Sequence, residues 1–344
     1  MLTTPRHTIV FLAALLLLFK GCGDRSADVV LYVALDRAHS APIVTAFEKA
    51  TGLRVDAHYD VEATKSVGLR RRIQAEAKRP VCDVFWNNEV VQTVLLAEDG
   101  MLAPYVSPMA SDIPPSLKDA GGLWTGFAAR ARVIILNTEK RPDPSQWPAG
   151  MADFLDPANR GLCGMARPLT GTTAAHAAYL IHRNGKEALF QLLEGLRDNE
   201  VRFGPGNAHL MRLVRGEEEP EFHFGWTDTD DYQVAEEEDF PVTRILPGQQ
   251  PGGEGLLVIP NTVALIKNAP HPEEAQKLID FLLSPEVEER LAAGPSVQIP
   301  VRDNIPRPGH VLDLSTVKVA EVDWKAAGQA YRKHQDELEA FFIR

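Results

Sequence analysis

Between Val29 and Trp86 the chain alternates short apolar runs with amphipathic stretches, and this alternation constrains the fold more than any other feature of the sequence. Val29 to Ala34 is an apolar run. Ser40, a candidate N-cap, and Pro42 then open a helix whose Ile43, Val44 and Phe47 share one face and which Gly52 stops. Leu53 to Ala57 reads as a strand. Thr64 to Lys78 reads as a solvated helix with Val67, Leu69 and Ile73 among Arg70, Arg71 and Arg72, and after Pro80 the run Val81 to Trp86 is a strand. Strand, helix, strand, helix, strand in so short a span is a βαβ signature and predicts a parallel sheet covered by helices. With 344 residues, 44% hydrophobic and 24% charged, the chain is globular, and a single core has usually stopped growing at this length, so two lobes are expected.

Further along, Val133 to Leu136 and Gly161 to Ala166 read as strands. Thr170-Gly171-Thr172-Thr173 leads into an Ala-rich helix at Ala174 to His182, and a second helix covers Lys186 to Arg197. Phe222 to Thr227 and Leu256 to Ile259 are short strands. Pro272 to Leu283 and Pro285 to Ala293 are helices with Pro at the first position, and Trp324 to Phe342 is the last helix. No repeat and no low-complexity linker separates two halves, which implies that the chain crosses between lobes more than once. A formal charge of −11 argues against nucleic acid as a partner, because phosphate neutralisation needs a basic face. The same balance favours a neutral or cationic ligand. The sequence contains no G-x-S-x-G, H-E-x-x-H or P-loop, and no catalytic residue is assigned; an enzyme is not expected.

Arg6 and His7 precede an apolar run, Ile9 to Phe19, too short to span a bilayer and suited to an export signal. It ends in Phe19-Lys20-Gly21-Cys22, which resembles the lipidation signal of bacterial lipoproteins. The resemblance makes residues 1–22 a signal segment with a lipobox-like end, cut before Cys22, Cys22 the acylated new N-terminus and residues 24–28 a tether to the membrane surface. An ordinary export signal with Cys22 a bystander is the alternative, and either one places the mature chain in the periplasm or at the cell surface. Cys82 and Cys163 sit in short apolar runs and read as buried free thiols.

Larger segments resemble the substrate-binding proteins of bacterial ABC importers, specifically the iron(III)-type family with its type II periplasmic-binding-protein fold. They are Tyr32 to Asp36, Phe47 to Val55, Asp83 to Trp86, Arg132 to Thr138, Ala166 to Thr173, Ile259 to Ile266 and Phe281 to Val287, in order across almost the whole mature chain. The resemblance implies an α/β protein of two lobes, residues 28–129 with 262–304 and 130–261 with 305–344. Crossing hinge segments would join them, the ligand would sit in the cleft, and closure would deliver it to an ABC permease. It also implies a monomer without an obligatory cofactor, whose transported ligand is iron(III) together with a synergistic anion. A sensor that reports to a membrane receptor remains an alternative to transport.

The loop Thr170, Gly171, Thr172 and Thr173 suits anion binding, since the amides of a helix N-terminus stand beside three hydroxyls. Iron-binding members present two adjacent tyrosines, where this chain has Asp230 and Asp231, with Tyr232 displaced by one. Asn88 takes the place of a usual Glu, and His39 lies near that of a usual His. Asp228, Asp230 and Asp231 with Glu89 and His39 form a candidate metal set for iron(III), manganese or calcium. Alternatively the carboxylates pair with an organic ammonium, with Asn87, Asn88 and the Thr loop as neutral partners and Trp86, Trp226 and Tyr232 as walls; a phosphonate is the related possibility. A third reading makes the Asp run a turn or a helix start, since Asp caps well. Asn207 is a further candidate cleft residue, and Arg130 and Arg132 are candidate anion ligands.

Overall fold

The computed structural model describes residues 27–60 and 66–343. The signal segment, Cys22 and the first residues of the helix expected from Thr64 lie outside them. The strands are β1 (Val29–Val33), β2 (Val55–Tyr59), β3 (Val84–Asn87), β4 (Leu102–Ala103), β5 (Thr125–Asn137), β6 (Cys163–Ala166), β7 (Arg202–Gly204), β8 (Phe224–Asp228), β9 (Val242–Ile245) and β10 (Val258–Ile266). The helices are α1 (Arg37–Thr51), α2 (Val67–Ala75), α3 (Val91–Glu98), α4 (Gly171–Asn184), α5 (Lys186–Asp198), α6 (Asn207–Arg215), α7 (Thr229–Glu237), α8 (Pro272–Leu282), α9 (Pro285–Ala293) and α10 (Trp324–Ile343).

The opening βαβαβ pattern folds as its periodicity dictates, with β1 parallel to both β2 and β3. Along β1, Val29, Leu31 and Val33 join one apolar cluster and Val30 and Tyr32 the other, so both faces of the sheet are buried. Asp36, rather than Ser40, precedes the first turn of α1; the Ser40 hydroxyl donates back to the Leu35 and Asp36 carbonyls. The strand order is β2-β1-β3-β10-β5-β8-β6-β7, with β4 beside β10 and β9 beside β5.

β5 joins the two lobes. It extends well beyond the short strand expected at Val133 to Leu136 and is buried throughout. Its first half pairs antiparallel with β10, from Val263 opposite Thr125 to Val258 opposite Ala131, and its second half pairs with β8 and β9. At the change-over the β5–β10 register shifts between Pro260 and Asn261, and Ala128 has φ 34°. The Ala128 amide donates to Glu288 on α9 at 2.7 Å, and Glu288 in turn pairs with the buried Arg302 at 2.7 Å. An irregular crossing is thus held by a fully buried ion pair, since a bulged backbone group must find a partner off the ladder.

α10 packs on α3 and on α4 and so spans both halves. At Gly328 a Cβ would lie 2.7 Å from Val94 Cγ1, so glycine sets how closely α10 approaches α3. Cys82 and Cys163 are both buried and free. Among the described residues no helix is long and apolar enough to cross a membrane.

Candidate functional site

Three helix N-termini meet at one cleft. α4 begins at Gly171, three residues before the expected start. Thr170 is the extended residue before it, and Gly171 has φ 57° with open space where a Cβ would stand. α6 begins at Asn207 after Gly206. α7 begins at Thr229 after Asp228, so the Asp run is a helix start as well as a cleft wall. The cleft cavity measures about 80 Å³ and is lined by residues of all three starts together with Asp36, Asn88 and Arg130. First-turn amides have no intrahelical acceptor and carry the positive end of the helix dipole, so three starts together favour an anionic group.

The carboxylates are unequal. Asp228 is fully buried and receives Arg132 Nη1 on Oδ1 at 2.6 Å, Asn207 Nδ2 on Oδ2 at 2.9 Å and the Thr172 hydroxyl on the same oxygen. Arg130 Nη1 stands 3.7 Å away. Burial pulls its pKa up, but the two guanidiniums outweigh that and hold it ionised, below the usual range. Arg130 is itself buried; its Nη2 donates to the Asn88 carbonyl at 2.5 Å and its Nη1 to Asp230 Oδ2 at 3.3 Å. Burial opposes the Arg130 charge, yet Asp230, Asp228, Asp231 and Asp36 together bind its proton more firmly.

Asp231 behaves in the opposite sense. Burial, then the charges of Asp230 and Asp228, push its pKa up to about 8, and the Thr227 hydroxyl donates to it at 2.7 Å. One ligand atom from each of Asp228, Asp230 and Asp231 fits within 4.8 Å of the others. Four carboxyls, counting Asp36, face two guanidiniums here; with a proton on Asp231 the excess is one negative charge. The site can therefore accept one small cation at the Asp side and one anionic group at the helix starts.

Of the sequence candidates, Asn88, Thr170, Gly171, Thr172, Thr173, Asn207, Asp230 and Asp231 line the cavity, and Asp228 lies behind them on Thr172 and Asn207. Glu89 is a correction to the candidate metal set. It is fully buried, with Oε2 accepting from the Val91 amide at 2.5 Å and Oε1 from the Gln92 amide at 2.9 Å, so it caps α3. Asn87 points the same way, donating to Glu89 and to Thr93, each at 3.1 Å. His39, within the first turn of α1, is not among the cavity residues.

The aromatic walls are corrected too. Trp86 is buried against Phe127, Trp226 packs on Phe154 and His176, and the Tyr232 hydroxyl donates to Glu236 beneath Arg244. Sequence reasoning had weighed Arg130 only as an anion ligand and had not singled out Asp36; its signal was its place just before the first turn of α1.

Residues 83–324 match the profile of the bacterial extracellular solute-binding proteins. The chain is 30% identical over 266 residues, 76% of its length and 73% of the relative's, to the putative 2-aminoethylphosphonate-binding periplasmic protein of Salmonella typhimurium. It is 27% identical over 270 residues, 76% of its length and 72% of the relative's, to iron uptake protein A1 of Synechocystis. Among solved structures, iron-bound HitA from Pseudomonas aeruginosa superposes with a TM-score of 0.80 at 24% identity, over 91% of this chain and 98% of that one. That likeness establishes the two-lobed α/β fold.

Proposed function

The chain belongs to the bacterial extracellular solute-binding proteins, which capture a solute outside the cytoplasmic membrane for an importer and do not transform it, and from this premise we propose that its solute is a small phosphonate or phosphate bearing an ammonium group. The observation that carries the reading is the meeting of three helix starts and Arg130 with a carboxylate cluster whose net excess is a single negative charge. The anionic head sits at Gly171, Thr172, Thr173 and Asn207, where the first-turn backbone amides donate, the Thr172 and Thr173 hydroxyls being spent on Asp228 and Asn207. The ammonium lies against Asp230 and Asp231, and Asp228 holds Arg132, Thr172 and Asn207 in place. At roughly 10–15 Å³ for each water-sized group, a cavity of about 80 Å³ has room for about six, the size of an aminoalkylphosphonate. The relative named for 2-aminoethylphosphonate is in keeping with this.

A second reading keeps iron(III) with an anion as cargo. The Asp228, Asp230 and Asp231 triad favours it, as do relatives named for ferric iron, and an anion at the α4 start would complete the shell. In either case closure of the lobes, divided at residues 28–129 with 262–304 and 130–261 with 305–344, presents the loaded monomer to an ABC permease. Lipidation at Cys22 would hold it at the membrane surface.

A thermal-shift and calorimetric comparison of 2-aminoethylphosphonate, inorganic phosphate and iron(III) citrate decides between the cargoes. Ligand at about 100 times its dissociation constant adds about 2.7 kcal/mol to stability. A selective shift with the aminophosphonate supports the first reading. A selective shift with iron(III) citrate, without a tyrosinate charge-transfer colour, establishes the second and overturns the first.

A further inference from the structure

Asp228, Asp230 and Asp231 bring three ligand oxygens within 4.8 Å of one another, close enough for one metal ion, yet a guanidinium already stands among them. Arg130 Nη1 lies 3.3 Å from Asp230 Oδ2 and 3.7 Å from Asp228 Oδ2, bridging the two carboxylates as a bound cation would. Hard cations bond to carboxylate oxygens at about 2.0–2.6 Å, so an ion on Asp230 Oδ2 would lie no more than about 6 Å from that nitrogen. Two positive charges at that separation repel within the screening length of salt water, about 8 Å at physiological ionic strength, and repel more strongly where solvent is excluded.

Arg130 can neither swing away nor lose its charge. Its side chain is 8% exposed, its Nη2 donates to the Asn88 carbonyl at 2.5 Å, and its backbone is fixed in β5 opposite Ile259 of β10. A guanidinium stays protonated in a folded protein, whereas a lysine in this place could deprotonate to admit a metal. The carboxylates themselves fit an ion poorly. Asp228 has Oδ1 on Arg132 at 2.6 Å and Oδ2 on Asn207 and Thr172, so an ion would draw on Asp230 and Asp231, and Asp231 already accepts the Thr227 hydroxyl at 2.7 Å. A solute ammonium asks less of the same two side chains. It brings one positive charge instead of two or three, so the repulsion from Arg130 is a half or a third as large, and it needs only hydrogen bonds of about 2.7–2.9 Å to carboxylate oxygens.

We propose that Arg130 is the specificity-determining residue of the cleft: its fixed charge between Asp228 and Asp230 excludes bare divalent and trivalent metal ions, while Asp230 and Asp231 stay open to a single ammonium group. This deepens the first reading of the cargo and rests on it for the ammonium alone. The exclusion is measured without any phosphonate present, so either statement can fail without the other.

Titration with terbium(III) and manganese(II) in buffer free of chelators and phosphate, followed by calorimetry and terbium luminescence, tests it. Wild type should show no site that depends on Asp230 for either ion up to about 100 μM. Arg130→Met removes the charge and keeps an unbranched side chain; it should gain a one-to-one terbium site at least about tenfold tighter than any in wild type, and adding Asp230→Ala should abolish that site. Arg130→Gln serves should the methionine variant fail to fold, since its amide can still donate to the Asn88 carbonyl. Arg130→Lys, which keeps the charge, should gain nothing. Binding of either ion by wild type as tightly as by the neutral variants, and lost with Asp230→Ala, overturns the proposal. So does a folded neutral variant that binds no better than wild type, a gained site that survives Asp230→Ala, or an equal gain in Arg130→Lys, because in each case the guanidinium charge does not decide the exclusion.

Discussion

Asp231→Asn isolates one proton and one sign. In the folded chain, burial and the neighbouring Asp230 and Asp228 raise the Asp231 pKa from 3.8 to about 8. Below pH 4 the carboxyl is protonated folded or unfolded and contributes nothing to pH dependence. As pH rises from about 4 to about 8 the unfolded chain releases the proton while the folded chain keeps it, so stability falls through that window and levels off above it. Each unit is worth about 1.36 kcal/mol, so the full shift sets an upper bound of about 6 kcal/mol. Asp231 is only partly buried and lies at an open cleft, and solvent screening reduces the effect to about 2 kcal/mol. Asparagine mimics the protonated form in size, and its amide oxygen can keep the Thr227 hydroxyl bond. Scanning calorimetry at pH 4 and pH 9 should therefore find the variant close to wild type at pH 4. At pH 9 it should be the more stable by about 2 kcal/mol, roughly 4–8 °C at 2–4 °C per kcal/mol. Other titrating groups cancel in the difference between the two proteins. An equal stability difference at both pH values refutes the reasoning, because it means Asp231 ionises in the folded state as it does in the unfolded one.

Aminophosphonate binding should release a proton near neutrality, since an ammonium beside Asp231 drives it to ionise; titration in buffers of different ionisation enthalpy at pH 7 reads this directly, and Asp231→Asn should abolish the release while weakening binding. Asp228→Ala strands the buried Arg130 and Arg132 guanidiniums and should destabilise the unliganded protein by about 3–5 kcal/mol, measured by denaturant unfolding. Asp230→Ala, whose carboxylate is paired at the cleft surface, should change unliganded stability by less than about 1 kcal/mol yet weaken ligand binding. Glu89→Gln should lower stability by about 1–2 kcal/mol through the weakened α3 cap and leave the ligand dissociation constant unchanged. A changed dissociation constant would return Glu89 to the binding site.

The sheet and its covering helices were legible wherever a local period carried them. β1 with α1 follows directly from alternation and helical spacing, as does the Thr-Gly-Thr-Thr turn into α4. The short helix α3 was not foreseen, and α7 only as one reading of the Asp run: Val91–Glu98 is buried over most of its length, with Gln92 and Thr93 among its apolar residues, and presents no stripe, and Thr229–Glu237 begins in a polar run that reads equally as a turn. β5 was underestimated because small residues and Arg130 interrupt its apolar run, yet every position is buried between neighbours.

Local sequence, then, settles the strands and helices that carry a clear period, because hydrogen bonding within an element and the side-chain period are short-range. It also shows that acidic and hydroxyl side chains stand at helix starts. Which carboxylate does what is decided only by the assembled fold. Asp228 meets Arg132 from 96 residues away and becomes a fixed anion; Glu89 turns inward to cap α3 two residues on; Asp231, left beside two like charges and short of solvent, keeps its proton. The chemical type of a side chain is written at its own position, but its charge state and its free lone pairs depend on the neighbours that distant segments bring, and no local pattern encodes those.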